Sequence, residues 1–162
     1  MLDADALNII AENKAYKILD ETEAKTIITP HIAEFTRLLQ CKSLDLKLEN
    51  RIELASKFAK EHKTVVIQKS ASTIISNAVK NIVLNKPNSG LAKGGSGDLL
   101  AGLIAGIAAS KHCKEIIDSA ALGVYLHSLA GESARNKYSE NAMTISNVSD
   151  CIINAWFELL EE

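Results

Sequence analysis

The glycines of this chain are confined to one stretch. All eight lie between Gly90 and Gly131, and none precedes that stretch. Glycine adopts backbone conformations that strain other residues, so tight turns are expected here and not earlier in the chain. The densest part is Gly94-Gly95-Ser96-Gly97-Asp98, and an apolar run suited to a helix follows at residues 99–109. We therefore predict a tight turn that leads directly into a helix.

Such a turn at the start of a helix is suited to bind an anion. Glycines allow successive N–H groups to point into one concavity, and the helix N-terminus adds a partial positive charge there. The Lys-Ser/Thr pair of a Walker motif does not follow Gly97, so this is a different kind of phosphate site. We interpret it as the phosphate-handling part of a nucleotide-dependent enzyme.

Asp98 lies in the first turn of this predicted helix, next to the expected phosphate. A carboxylate in that position repels phosphate unless a substrate hydroxyl lies between the two groups. Asp98 is therefore a candidate general base for a hydroxyl that attacks the terminal phosphate of a nucleotide. The structural alternative is a flexible turn in which Asp98 caps the helix.

Short β-branched runs alternate with helical runs ahead of the glycines. Strands are predicted at residues 26–29, 64–68, 72–76 and 81–85, the last two joined as a hairpin at residues 77–80. Helices are predicted at 33–39, 48–61, 98–110, 118–135 and 148–160. This order predicts an α/β layered fold, with a central, mostly parallel sheet and helices on both faces. We expect one domain that covers residues 1–162.

A second candidate region lies where the first predicted strand ends, at Thr29-Pro30-His31 and the following residues. Ligands bind at the carboxyl ends of strands in open α/β sheets. His31 is a candidate for a hydrogen bond to substrate, and Glu34 for holding a metal-bound water near the phosphates. The alternative is that Glu34 caps the next helix and His31 is an ordinary loop residue.

The segment from Lys69 to Thr73 is a third candidate, because a lysine at a strand end followed by small hydroxyl residues suits a nucleotide cleft. Alternatively, Lys69 simply ends its strand in solvent. His127 lies on an apolar helical face and is predicted to be a core histidine with a hydrogen-bond partner.

Bulk composition excludes several classes of protein. The net charge is −2, from 18 basic and 20 acidic residues, which favours neither nucleic acid nor an acidic membrane as a partner. No apolar run approaches the roughly 20 residues of a membrane-spanning helix. The three cysteines are widely separated, a pattern typical of idle thiols in a reducing cytosol, so we expect a cytoplasmic protein.

These segments resemble the ribokinase-like superfamily, and more closely its ADP- or ATP-dependent NAD(P)H-hydrate dehydratases, often described as carbohydrate kinases. The resemblance runs through residues 3–8, 29–34, 69–73, 88–98 and 120–131. It implies a metabolite-repair reaction in which the ring hydroxyl of hydrated NADH or NADPH is phosphorylated. Elimination of the phosphate then restores the cofactor. The implied co-substrate is ADP or ATP, with Mg²⁺.

The resemblance also assigns roles to residues. Asp98 would contact the substrate hydroxyl and act as its base, and His31 would touch the hydrate. Glu34 would match a glutamate that is associated with magnesium through water. The anion hole would comprise Gly95, Ser96 and Gly97, and the nucleotide would be lined by Lys69, Ser70, Ala71, Ser72, Thr73 and Gly97.

The chain departs from the family pattern at several positions. Glycine is usual where Ala33, Ser70 and Pro87 stand, and a small hydroxyl residue where Lys93 stands. The opening at residues 2–7 looks like the tail of a strand whose beginning is absent. We therefore expect residues 1–162 to be the C-terminal part of the family's single domain, with a sheet incomplete at its N-terminus. We also expect a tendency to form homo-oligomers, and poor activity of these residues alone.

Two other functions stay open on the sequence. A small-molecule kinase of the same superfamily, acting on a vitamin precursor or a sugar, would share the turn that ends at Asp98. An inactive fragment is compatible with the abrupt opening and the lost glycines. Residues 29–31 and 88–92 favour the repair enzyme over the kinase.

Overall fold

The computed structural model describes residues 1–43 and 47–161. Four strands form one sheet: β1 (Thr26–Ile28), β2 (Thr64–Gln68), β3 (Ser72–Ser76) and β4 (Asn81–Asn85). The helices are α1 (Asp5–Asn13), α2 (Lys17–Asp20), α3 (Ile32–Leu38), α4 (Leu48–Glu61), α5 (Ser96–Ser110), α6 (Ile116–Tyr138) and α7 (Ile145–Glu161), with a 3₁₀ turn at Ser89–Leu91. Among the described helices, none has both the length and the apolar character required to cross a bilayer.

The sheet has the strand order β1-β2-β3-β4. β1 pairs with β2 in parallel, whereas β2–β3 and β3–β4 are antiparallel. The sheet is therefore mixed, which corrects the mostly parallel arrangement that we predicted. The antiparallel β3–β4 pair is the hairpin predicted at residues 77–80. The β2–β3 pair is also antiparallel because its connection at residues 69–71 is too short, since a parallel pair needs a crossover of about a dozen residues.

The opening residues pair beside β1. Leu2 forms a parallel bridge with Ile28, and its N–H donates to the Ile27 carbonyl at 2.9 Å. This is the strand-like pairing expected for the opening. It places Asp3 at the edge of the sheet where β1 and β2 end. A second parallel bridge joins His31 to Lys69 at the same edge.

The side chains of the sheet alternate between two apolar layers, as the two-residue period of a strand requires. One layer packs Ile28, Val66 and Ile74 against α1, α3 and α4. The other packs Ile27, Val65, Ile67 and Ile75 against α5 and α6. The layered α/β fold with helices on both faces is thus confirmed.

Two glycines allow α6 to pack closely on the elements around the glycine-rich turn. A Cβ added to Gly123 would lie 2.5 Å from Ile104 Cγ1 and 3.1 Å from Ile104 Cα, on α5. A Cβ on Gly131 would lie 2.8 Å from a methyl carbon of Leu91. The opposite side of α6 packs against α7 in a third apolar cluster. The position of α5 therefore depends on the absence of a side chain at Gly123.

Replacing Gly123 with alanine should destabilise the fold because the backbone of Ile104 blocks the added methyl group. We expect a loss of roughly 1–3 kcal/mol in the free energy of unfolding. Gly106 is the matched control, since it is exposed on α5 and has no atom within 4 Å of an added Cβ. Gly106→Ala should stabilise the chain by about 0.5–1 kcal/mol. Urea unfolding measures both effects, and stabilisation by Gly123→Ala would contradict the packing described.

Candidate functional site

A cavity of about 800 Å³ opens between the β2–β3 connection, the segment that precedes α5, and α6. Its wall contains most of the predicted site residues, namely His31, Lys69, Ser70, Ala71, Thr73, Ser96 and Gly97. The predicted residues Ser72, Gly95 and Asp98 adjoin wall residues in sequence without being part of the wall, and Glu34 lies three residues after His31, also outside it. Three segments that are distant in sequence thus converge on one cavity.

Helix α5 begins at the glycine-rich turn, with Gly95 as its N-cap. Gly95 has a φ of 87°, a left-handed conformation that a side chain would strain. The Ser96 amide donates to the Lys93 carbonyl at 3.2 Å, whereas no acceptor within the described residues meets the amides of Gly95, Gly97 and Asp98. Unpaired N–H groups at a helix N-terminus attract anions. Of the predicted anion-hole amides, only that of Ser96 is already in use.

Lys69 places a positive charge beside this turn. A Cβ added to Gly97 would lie 3.4 Å from Lys69 Nζ and 3.6 Å from Asp3 Oδ2. Lys69 Nζ also donates to Asp3 Oδ1 at 2.8 Å, and both side chains are largely buried. Lys69 therefore does not end its strand in solvent. The ion pair fixes its ammonium group next to the unpaired amides.

His31 and Glu34 form a capping box at the start of α3. His31 Nδ1 accepts from the N–H groups of Ala33 and Glu34 at 3.1 and 3.2 Å, and the His31 amide donates to Glu34 Oε2 at 2.7 Å. His31 Nε2 lies 3.3 Å from Glu34 Oε1. Glu34 therefore caps helix α3, which was the structural alternative to a metal-associated role, and its carboxylate is buried. His31 is half exposed and lines the cavity, so a ligand can reach it.

Asp98 is the third residue of α5 and is exposed to solvent. Its carboxylate makes neither a hydrogen bond nor an ion pair with another part of the described chain, and the N-terminus of α5 has no side-chain cap. The capping alternative for Asp98 is therefore wrong. The carboxylate is available to a ligand that binds at the turn.

Lys93 links the glycine-rich motif to the connection between α6 and α7 by hydrogen bonds. Its Nζ donates to the carbonyl oxygens of Glu140, Asn141 and Met143, at 3.1, 3.4 and 2.5 Å. The Ser89 hydroxyl donates to the Glu140 carboxylate beside it. This explains how a lysine is accommodated where the family usually has a small hydroxyl residue. Sequence reasoning missed the contact because its partners lie 47 or more residues further along the chain.

His127 is buried, as predicted, but it also lines the cavity. Its Nε2 lies 3.5 Å from Ser96 Oγ, at the first turn of α5. Burial lowers the pKa of His127 from 6.5 to about 4, against the smaller opposing effect of its contact with Ser96. The imidazole is therefore neutral near pH 7 and adds no charge to the anion site.

Comparison with known proteins finds a matching family and several relatives. A family model for NAD(P)H-hydrate dehydratase matches residues 1–154. The chain is 35% identical to the bifunctional NAD(P)H-hydrate repair enzyme of Moorella thermoacetica, over 100% of this chain and 30% of that enzyme. It is 32% identical to the ADP-dependent (S)-NAD(P)H-hydrate dehydratase of Bacillus subtilis, over 96% of this chain and 53% of that enzyme.

Solved structures show the same likeness. The ADP/ATP-dependent NAD(P)H-hydrate dehydratase of Bacillus subtilis, co-crystallised with ATP and Mg²⁺, superposes with a TM-score of 0.77 at 26% identity. That alignment covers 97% of this chain and 53% of the other. The hydroxyethylthiazole kinase of Pyrococcus horikoshii has a TM-score of 0.72 at 18% identity, over 93% of this chain and 57% of the kinase, which shows a shared fold. The chain thus spans between about a third and somewhat over half of these proteins.

The neutral state of His127 predicts how stability depends on pH. The unfolded chain gains a proton at this site as pH falls below about 6.5, while the folded chain gains it only near 4. Between about pH 7 and about pH 5 the free energy of unfolding should therefore fall by on the order of 2 kcal/mol through this residue. His127→Gln should remove that part of the pH dependence in urea unfolding. If the free energy of unfolding fell as much between these two pH values in His127→Gln as in the wild type, the result would contradict a neutral buried imidazole at His127.

Proposed function

Because the chain belongs to the NAD(P)H-hydrate dehydratase family, we propose that the protein dehydrates hydrated NADH or NADPH at the expense of ADP or ATP. The relatives named for this activity are longer than the chain, so the activity, the substrates and the partners are parts of the proposal. A small-molecule kinase is less favoured, since its support is a likeness of fold at 18% identity.

The observation that carries the proposal is the anion site at the start of α5. The amides of Gly95, Gly97 and Asp98 lack acceptors in the described chain, and Lys69 Nζ lies against Gly97. Amides and an ammonium group directed at one place suit the terminal phosphate of a nucleotide. The neighbouring wall at Lys69, Ser70, Ala71 and Thr73, together with Ser72, would hold the rest of the nucleotide.

Asp98 would act as the general base of the reaction. Its free carboxylate, at the third position of α5, would accept the proton of the substrate ring hydroxyl, whose oxygen attacks the terminal phosphorus of the nucleotide. The bond between that phosphorus and its bridging oxygen would break, so that ADP leaves as AMP, or ATP as ADP. Of the predicted anion hole of Gly95, Ser96 and Gly97, the amides of Gly95 and Gly97 are free to hold the transferred phosphate, whereas the Ser96 amide already donates to the Lys93 carbonyl. Elimination of that phosphate together with a ring proton would then restore NADH or NADPH. His31 would contact the hydrate from the adjoining wall.

Magnesium would neutralise phosphate charge when it is bound. This ion keeps several waters and is held mainly by phosphate oxygens and one or two carboxylates. No group of three or more potential ligands occurs in the described residues, which is compatible with such binding. Glu34 fits a contact through water better than direct ligation, because both of its oxygens already face His31.

The cellular setting is also part of the proposal. We assign residues 1–162 to a single ribokinase-like domain, in a homo-oligomeric, cytoplasmic protein without a nucleic-acid or membrane partner. The separated cysteines support the cytoplasmic setting, and the small net charge supports the lack of a nucleic-acid or acidic-membrane partner.

Substitution of Asp98 by asparagine tests the mechanism. Turnover, followed as NADH absorbance regained from its hydrate in the presence of ADP and Mg²⁺, should fall by on the order of 100- to 10,000-fold. ADP affinity, measured by calorimetry, should stay close to wild type, since backbone amides and Lys69 hold the phosphate.

Asp150→Asn is the matched control, because Asp150 is an exposed carboxylate on α7 outside the cavity wall. It should preserve both turnover and affinity. Near-normal turnover by Asp98→Asn would remove Asp98 from the mechanism. A wild-type chain that binds no ADP would contradict the proposed function itself, whereas a low rate of NADH formation is what we expect of these residues alone.

A further inference from the structure

Helix α4 carries a buried arginine that reaches the back of the nucleotide-lining connection. Arg51 is 6% exposed. Its Nε donates to Gln68 Oε1 at 2.7 Å, and its Nη2 donates to Ser70 Oγ at 2.6 Å and to the Ser72 carbonyl at 3.0 Å. One guanidinium group therefore holds the last residue of β2, the bend after it, and the first residue of β3.

The connection is tied within itself by the same groups. Ser70 Oγ, which accepts from Arg51, donates to the Ser72 carbonyl at 2.6 Å. Thr73 Oγ1 donates to the Ser70 carbonyl at 3.1 Å. Ser70 stands where the resembled family usually has glycine, so its hydroxyl adds a link that glycine lacks. The bend from Lys69 to Thr73 is thereby held in one shape.

Burial of the Arg51 guanidinium carries a desolvation penalty that its hydrogen bonds must offset. A buried guanidinium loses its hydration, and this burial lowers the pKa of Arg51. Within the described residues no carboxylate forms an ion pair with it, so neutral oxygens alone compensate the charge. Gln68 turns its oxygen to Arg51 and leaves its buried Nε2 without a described partner.

Arg51 itself is not in the wall of the cavity, whereas Lys69, Ser70, Ala71 and Thr73 are. An effect of Arg51 on a ligand must therefore pass through the shape of this connection. A connection that is ordered before the ligand arrives lowers the entropy lost on binding.

We propose that Arg51 is a positioning residue that holds the Lys69–Thr73 connection in its nucleotide-binding shape, with Ser70 as the link between them. The proposal rests on the proposed function in that the ligand is a nucleotide. Arg51 should accordingly affect the binding of the nucleotide, and not the chemical step at Asp98.

The first test compares Arg51→Met with Arg51→Lys. In the chain without ligand, Arg51→Met should accelerate amide hydrogen exchange at residues 69–73 by about tenfold or more, as expected for the loss of these hydrogen bonds. The dissociation constant for ADP and the KM for ADP should rise by about tenfold, with kcat within about twofold of wild type. Arg51→Lys, which keeps the charge but has one donating nitrogen in place of Nε and Nη2, should retain part of the affinity.

Arg37→Met is the matched control, because Arg37 is an exposed arginine on α3 whose Nε donates to Asn8 Oδ1. It should leave both exchange at residues 69–73 and ADP affinity unchanged. Wild-type exchange and affinity in a folded Arg51→Met variant would overturn the proposal.

A double-mutant cycle keeps the proposal testable if Arg51→Met does not fold. The loss of ADP affinity caused by Arg51→Lys should be smaller in a Ser70→Gly background than in the wild-type chain, because the link is already removed. Equal losses in both backgrounds would overturn the proposal. Failure of the wild-type chain to bind ADP counts against the proposed function, whereas the exchange rates still decide the role of Arg51.

Discussion

The unpaired amides at the start of α5 determine how the rest of the site is arranged. A helix leaves its first N–H groups without internal partners, and here Gly95, Gly97 and Asp98 find none elsewhere in the described chain. The left-handed Gly95 allows the chain to enter the helix there without strain. Lys69, paired with Asp3, places an ammonium donor at the same point, so that N–H donors of backbone and side chain adjoin each other at the turn.

Most of the fold follows from local sequence pattern. The bounds of β2, β3, β4 and α4 match the prediction, because their β-branched runs and helical period are unambiguous. The orientation of β2 and β3 was predicted wrongly, since alternation of strands and helices says little about a connection of only three residues. Helices α1 and α2 lie in a part of the chain where no helix was predicted.

The candidate site was predictable only where a motif is continuous in sequence. The turn, the end of β1 and the end of β2 each gave a local signal, and the structure brings them to one cavity. The Asp3–Lys69 ion pair spans 66 residues, and the contacts of Arg51 span 17 to 21. Such partners are determined by tertiary packing, so no periodicity in the sequence indicates them. Glu34 caps helix α3 in the structure, so here the local interpretation of the sequence was confirmed.

The central claim is that the turn before α5 binds the phosphate of a nucleotide. Titration of ADP and Mg²⁺ into isotope-labelled protein, followed by amide NMR, tests it residue by residue. The largest shifts should occur at the amides of Gly95, Gly97 and Asp98, with smaller shifts along residues 69–73. Shifts confined to the separate 430 Å³ cavity beside Tyr16 and His62, or no shift at saturating ADP, would contradict the claim.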